Sequence, residues 1–327
     1  MYKSVIESYS ELWHYTTAPG LHGILTSQQL WATNIFYLND AEEFTGFFDH
    51  KLLNCLKAGV LEGLAEASKT VEGLNYINAA GGQAVVASDL ANQLFEILRE
   101  TTLSLQVYVT SFCSHSGENS EDGLLSQWRG YGTDGGYAIV FDTQALNKLF
   151  LDEQHRFFYS FGHWGDVDYF DGDASGSAHE EAIEWEATIR RTVARMVLEK
   201  NLQLAEAFFE PIICLATRHK HRGFREESEV RISVVTSIND KPIDEAINTG
   251  DNRPPKPVYF SLRGGILVPY IALFERPVGE AAKLPIKKII VGPHPEKLKR
   301  KKAIEKLLNQ LEIEATVETS AIPYLGR

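Results

Sequence analysis

Between Leu12 and Asn39 the chain reads LWHYTTAPGLHGILTSQQLWATNIFYLN, and few folds accommodate such a run. LWHYTT alternates apolar and polar residues, the period of a half-buried strand. Pro19-Gly20 breaks that pattern. Leu21, Ile24 and Leu25 then fall on one helical stripe. LWATNIFYL resumes the strand pattern. Strand, turn, short helix and strand place His14 and Thr16 on one strand face, beside a helix start and an aromatic-rich second strand. More polar groups follow at Asn39-Asp40 and Glu42-Glu43. That grouping reads as a site, although Asn39-Asp40 also suits the cap of a helix starting near Ala41, where such side chains accept bonds from free amides.

Composition narrows the class. The 327 residues are 44% hydrophobic and 23% charged, the balance of an ordinary globular protein. A net charge of -12 argues against broad, non-specific nucleic-acid binding. Cys55, Cys113 and Cys214 are odd in number and far apart, so neither a disulfide framework nor a metal motif is expected. A reducing cytoplasm is the expected location. The polar segment after Met1 does not read as a signal peptide. No apolar run approaches the roughly 20 residues of a membrane span, so no membrane partner is expected.

Along the chain, Ala41 to about Ser68 reads as helix, from the spacing of Phe44, Phe47, Phe48, Leu52, Cys55 and Leu56. Residues 69–82 read as loop. A helix from about Ser88 to Thr101 follows, with Leu90, Leu94, Ile97 and Leu98 as its stripe. LQVYVTSFCS (105–114) is the clearest central strand. A short helical turn, LLSQWRGYG, precedes the strand GGYAIVFD. Gly130, Gly132, Gly135 and Gly136 lack the spacing of a dinucleotide fingerprint; they read as a tight helix-to-strand connection or a weak phosphate cradle. FFYSFGHWGDVDYF (157–170) reads as strand. Its neighbouring Asp166, Asp168, Asp171 and Asp173 lack the distal Glu of a calcium loop, and no metal is expected.

Residues 178–219 read as helical, with Pro211 near the start of the last helix. A basic cluster, RHKHRGFR (218–225), leads into the strand SEVRISVV. VYFSLRGGILVPYIALF gives more strand, and IKKIIVGP, PEKLKRKKAIEKLLNQL and ATVETSAIPY form a closing β-α-β unit. The Lys-rich run 297–302 reads as a solvated helix face. The expected fold class is α+β: a mostly antiparallel central sheet with that C-terminal unit. The expected organisation is a single domain over residues 1–327, with helical insertions at about 41–104 and 178–219.

HYT, GLHGIL, LW and LND-AEEF at the start, TSFC at 110–113, QWRGYGTDGG at 127–136, EESEVRI at 226–232 and KKIIVGPHP near the end together resemble a bacterial family of unknown function. That resemblance names no chemistry. A second likeness follows from order. A polar residue on the first strand, a hydroxyl motif on a middle strand and a Glu-x-Glu on a late strand is similar to the layout of ADP-ribosyltransferases. The likeness implies that His14 anchors the ribose of NAD, that Thr110-Ser111 stiffens the site, and that Glu229, preceded by Glu227, bonds the nicotinamide ribose. The middle motif is TSF where those enzymes carry Ser-Thr-Ser. Nicotinamide departure leaves an oxocarbenium-like sugar, which a fixed carboxylate stabilises.

On this reading NAD is the substrate. Glu229, His14 and Glu227 carry the chemistry, and His14, Tyr15, Thr16, Tyr37, Ser111, Trp128, Arg129 and Tyr131 contact the cofactor. Trp31 is a further stacking candidate. Arg129 or the 218–225 cluster holds the pyrophosphate, since guanidinium suits phosphate oxygens. The implied setting is a toxin or phage-defence effector acting on protein or nucleic acid, with a cognate antitoxin or regulator.

Each residue has a plainer role. His14 suits a core histidine, Trp128 and Tyr131 a packed i, i+3 pair, and Arg231 a neutralising partner for Glu227 and Glu229. His219 and His221 lack further zinc ligands, and Cys113 beside His115 lacks a visible activating base. A non-catalytic sensor or interaction module, using the helical insertions as partner surfaces, is the alternative function. A nuclease holding magnesium on its grouped acids is a third.

Overall fold

A computed structural model describes residues 4–38, 42–115, 119–131, 135–170, 180–236, 252–276 and 283–323. The fold is α+β. After a single turn of helix, α1 (Val5–Ser8), come β1 (Glu11–Thr16), α2 (Ala18–Ser27) and β2 (Leu30–Asn34). The expected second strand ends early. The Asn34 side chain accepts from the Phe36 amide at 3.1 Å and turns Ile35–Tyr37 into a 3-10 helix. A helical block follows: α3 (Glu42–Phe47), a π-helical stretch Phe48–Leu52, α4 (Leu53–Ala67), α5 (Val71–Ala79) and α6 (Gln83–Leu103). Next come β3 (Val107–Cys113), α7 (Asn119–Asp122), α8 (Leu125–Tyr131), β4 (Tyr137–Asp142), α9 (Thr143–Arg156), β5 (Phe161–Asp166) and β6 (Asp168–Phe170). The chain continues through α10 (Glu180–Glu199), α11 (Phe209–Arg218), β7 (His219–His221), a 3-10 helix Arg222–Glu227 and β8 (Glu229–Val235). The hairpin β9 (Val258–Arg263) and β10 (Ile266–Leu273) precedes β11 (Ile286–Val291), α12 (Lys297–Gln310) and β12 (Thr316–Thr319).

Three readings of the sequence need correction. Residues 69–82 contain α5, capped by Thr70, whose side chain accepts from the Gly73 amide at 3.1 Å. Its single buried residue, Ile77, leaves no stripe to read. The helix after it buries Val86, Ala87 and Ala91, with Leu90, Leu94 and Leu98 of the expected stripe half-buried against the core, but Ile97 is 62% exposed and faces away. Helix α9 was not anticipated. Asp142 caps it by accepting from the Ala145 amide at 2.8 Å, and Leu146 and Phe150 are its buried stripe. The Asn39-Asp40 cap, Gly132, Asp171 and Asp173 lie outside the described residues.

Ten strands form one sheet among the described residues, in the path β12-β11-β4-β1-β3-β2-β10-β9, with β8 on β3 and β5 on β8. All its ladders are antiparallel except β11 with β12. Strands β3, β4 and β8 are rich in aromatic and β-branched residues and are buried almost throughout, as strands covered on both faces are. One face carries Leu12, Phe112, Ile139, Ile232, Leu30 and Ile271, covered by Leu146 and Phe150 of α9 and Ile304 and Leu308 of α12. The other carries Val107, Val109 and Val235, packed on Leu56, Val60, Ile189 and Ile213 of the helical block. A third cluster on that second side joins Trp13, Tyr15, Cys113 and Trp128.

Two close approaches explain the glycines. A Cβ on Gly135, whose φ is +98°, would lie 2.4 Å from the Pro293 carbonyl oxygen, so this glycine lets the turn seat β4. A Cβ on Gly59 would lie 2.7 Å from the Arg190 carbonyl oxygen, and on Gly63 2.7 Å from that of Ala194. These two positions let α4 lie against α10. Gly63→Val is expected to overpack that contact and cost about 1–3 kcal/mol, read as a lower urea midpoint with an unchanged slope.

No group of three or more side chains suited to hold a metal ion occurs among the described residues. Asp166 accepts from the Tyr9 hydroxyl at 2.7 Å, and Asp168 pairs with Lys51 at 3.1 Å. No helix among the described residues is long and apolar enough to cross a membrane.

Candidate functional site

Strand β8 pairs with β3 along its full length, from Val107↔Val235 to Cys113↔Glu229. That occupies one edge of β3. Both β1 and β2 must use the other edge. Strand β1 meets it at Trp13↔Cys113, and β2 meets it at Thr33↔Val109 and Asn34↔Tyr108. Between these registers the sheet forks, and Thr110, Ser111 and Phe112 lie at its base. Helix α2 joins the two prongs. Main-chain groups that a ladder skips need other partners, and His14 supplies one: its Nδ1 lies 2.9 Å from the Ser111 carbonyl oxygen. A carbonyl only accepts, so Nδ1 carries the proton and Nε2 is left as an acceptor. Burial holds the His14 imidazole neutral, shifting its pKa down, with the Ser111 bond opposing.

Residues paired across strands share a face. Trp13, Cys113 and Glu229 therefore point one way, with Tyr15, Ser111 and Arg231. His14 and Thr16 point the other way, and the His14 ring lies 5.9 Å from Phe112. The fork thus brings together Tyr15, Ser111 and Glu229, while His14 reaches it through the Ser111 main chain. Thr16 is buried at 8% exposure, its hydroxyl against Gly20 of α2.

The acids form a compact cluster. Glu229 Oε1 accepts from Arg231 Nε at 2.6 Å, and Oε2 accepts from Arg231 Nη2 at 3.1 Å and Lys220 Nζ at 2.8 Å. Lys220 Nζ also donates to Glu227 Oε2 at 2.8 Å. Arg231 Nη1 donates to the Thr217 carbonyl oxygen at 2.9 Å. Burial alone pushes the Glu229 carboxyl up, but Arg231 and Lys220 outweigh it and hold it at about 2. Glu229 is 5% exposed and the Glu227 side chain 22%. Glu227 is thus the carboxylate that meets solvent.

Glu227 and Glu229 are not successive positions of one extended strand. Glu227 ends a 3-10 turn, and Ser228 is left-handed at φ 44° before the strand begins. Lys220, read in the sequence as part of a basic cluster that holds the pyrophosphate, instead gathers the two carboxylates. Its place on β7, paired in parallel with β6, turns it inward. Arg218 is also internal, donating to Glu181 at 2.5 Å and lying over Trp185. Neither is placed to hold a pyrophosphate; Arg222 and Arg225 lie exposed on the turn beyond.

An aromatic wall stands beside the cluster. Tyr131, at the end of α8, is 43% exposed and stacks on Tyr15 with ring centroids 6.3 Å apart. Burial raises its hydroxyl pKa, and Cys113, Glu229 and Glu227 add to the rise. The Tyr15 hydroxyl lies 2.7 Å from His115 Nε2 and accepts from the Leu124 amide at 3.0 Å. Trp128 is fully buried, its Nε1 donating to the Asp122 carbonyl oxygen at 3.0 Å. It is the backing of the wall, not a surface for stacking. Arg129 is exposed on α8, and Tyr37 is 40% exposed after β2. Trp31, 50% exposed, stacks on Tyr270 at 4.1 Å. Burial pushes the Cys113 thiol well above its ordinary range, which suits a core residue.

His14, His115 and His163 are all held neutral by burial, the last two at about 4. A lowered histidine pKa gives stability present above the unfolded value near 6.5 and lost as pH falls through the folded value. Thermal midpoints are therefore expected to fall between pH 6.5 and 4. A midpoint flat across that window contradicts the three neutral imidazoles.

A forked α+β sheet, carrying a buried acid-cation cluster under an aromatic wall, defines the class. Within it, residues 127–232 match the model of DUF2971, a protein family of unknown function. The match covers about a third of the chain. It opens on QWRGYGTDGG and closes on EESEVRI, so it contains Tyr131, Lys220, Glu227, Glu229 and Arg231. His14, Tyr15, Thr16, Tyr37 and Ser111 lie outside it. No curated protein and no solved structure matches the chain.

Proposed function

We propose that this protein consumes NAD at the sheet fork, releasing nicotinamide and passing ADP-ribose to a macromolecular acceptor. The observation that carries this reading is Glu227: a partly open carboxylate, held at 2.8 Å by a buried lysine that Glu229 anchors. In the reaction the bond from the ribose carbon to the nicotinamide nitrogen breaks, and its electron pair leaves with nicotinamide. The sugar becomes oxocarbenium-like. A carboxylate fixed beside it offsets that charge, and fixed groups need no reorganisation when it develops. An oxygen or nitrogen of the acceptor then bonds to the ribose carbon and loses its proton. Tyr131 offers a ring face for nicotinamide. His14, on the opposite face, holds the Ser111 main chain and does not touch the ribose.

The assignment of the carboxylate moves from Glu229 to Glu227, because Glu229 is enclosed by its two cations. An effector of this kind, toxin or antiviral, acts on protein or nucleic acid and needs a cognate regulator in its own cell. Titration calorimetry with NAD tests the binding half: saturable heat is expected, weakened by Tyr131→Ala. Absence of heat with the folded protein rejects the reading.

One observation favours a second reading. A carboxylate saturated by two buried cations is how a purely structural ion cluster is built. In that case the protein is a non-catalytic sensor or interaction module of a bacterial defence or stress system. A stable partner recovered from cells by both wild type and Glu227→Gln, with no turnover of NAD, identifies that case.

A further inference from the structure

Strand β9 ends the path of the sheet, and no described strand pairs with its outer edge. Its side chains alternate. Val258, Phe260 and Leu262 are 41%, 62% and 79% exposed, with Tyr259 and Ser261 half-buried between them. Across the hairpin, Leu267 is the partner of Leu262 and is 61% exposed; Ile266 is 57% exposed. Val258 pairs with Ile271 of the core. Val258, Phe260, Leu262 and Leu267 therefore form an apolar strip that continues the core outward on one face.

Edge strands are normally blunted by charge, bulge or proline, because an open ladder recruits other strands. Residues 258–262 carry none of these; Arg263 stands at the end and Pro257 before the start. The pattern is self-complementary. In antiparallel pairing about Phe260, that ring meets its own copy, and Val258 of each chain lies opposite Leu262 of the other. Apolar and aromatic cross-strand pairs of this kind stabilise sheets. The exposed surface of these five residues, main chain included, comes to roughly 500 Å² per copy, the scale of a small interface below the roughly 800 Å² per partner of a standard one.

We propose that two copies of this chain pair antiparallel through β9, continuing the sheet across a two-fold axis. The inference is independent of the NAD reading. Sedimentation equilibrium of the full chain tests it: a dimer at micromolar concentration is expected. Leu262→Lys is expected to give a monomer with unchanged circular dichroism and a melting temperature independent of protein concentration, since that side chain is outside the core. A second variant fixes the geometry. Phe260→Cys is expected to form a disulfide-linked dimer on oxidation, because the two copies of position 260 face each other; wild type, with Cys113 and Cys214 buried and Cys55 half-buried, is the control. A wild-type monomer overturns the proposal. So does a Leu262→Lys protein that remains dimeric, or a Phe260→Cys protein that fails to cross-link. A monomer that floats with phosphatidylcholine vesicles overturns it too, and assigns the strip to a lipid surface.

Discussion

Glu229→Gln is expected to cost about 3–5 kcal/mol of stability, a fall of the melting temperature on the order of 10 °C. The carboxylate is 5% exposed and accepts from Arg231 and Lys220. Glutamine keeps the size but removes the charge, leaving two buried cations with Glu227 alone to balance them. Acid acts on the wild type in the same way. The folded pKa of about 2 lies below the ordinary value of 4.5, so this group's contribution is present above pH 4.5 and is lost as pH falls towards 2. The variant should lose that part of the wild-type acid response. Chemical denaturation at several pH values between 5 and 2 reads both effects. Equal stability of variant and wild type at pH 7 contradicts the buried cluster.

Glu227→Gln is expected to do the reverse. Its side chain is 22% exposed, and Lys220 retains Glu229 as a partner, so stability changes by about 1 kcal/mol or less. Turnover of NAD is expected to fall by about 10²-fold or more, the scale of losing one preorganised electrostatic group. NAD affinity changes little, because the charge is needed mainly in the transition state. The two neighbouring glutamates thus separate a structural role from a chemical one. A Glu227→Gln enzyme with full turnover removes that residue from the mechanism.

The strongest elements of the fold were legible for a physical reason. VYVTSFC, YAIVFD and EVRISVV are rich in β-branched and aromatic residues because both their faces are covered. The closing β-α-β unit was legible from its periodicity switch. Helices α5 and α9 were not, since one buries a single residue and the other follows a strand without a break. The site was legible in its residue types but not in its faces. Whether His14 shares a face with Glu229 depends on Trp13↔Cys113 and Cys113↔Glu229, and a slip of one residue in either register reverses the answer. The fork itself depends on β8, from much later in the chain, taking one edge of β3. Lys220 was hidden because its burial within RHKHRGFR follows from a parallel pairing of β7 with β6, which no local pattern announces.

The most direct test is mass-spectrometric detection of nicotinamide released from NAD by the purified chain, with Glu227→Gln beside it and protein and nucleic-acid acceptors supplied. Steady release by the wild type, reduced about 10²-fold in a variant of unchanged melting temperature, is the result expected. Absence of release from folded wild-type protein, or equal release from both proteins, contradicts an NAD-consuming site built on Glu227.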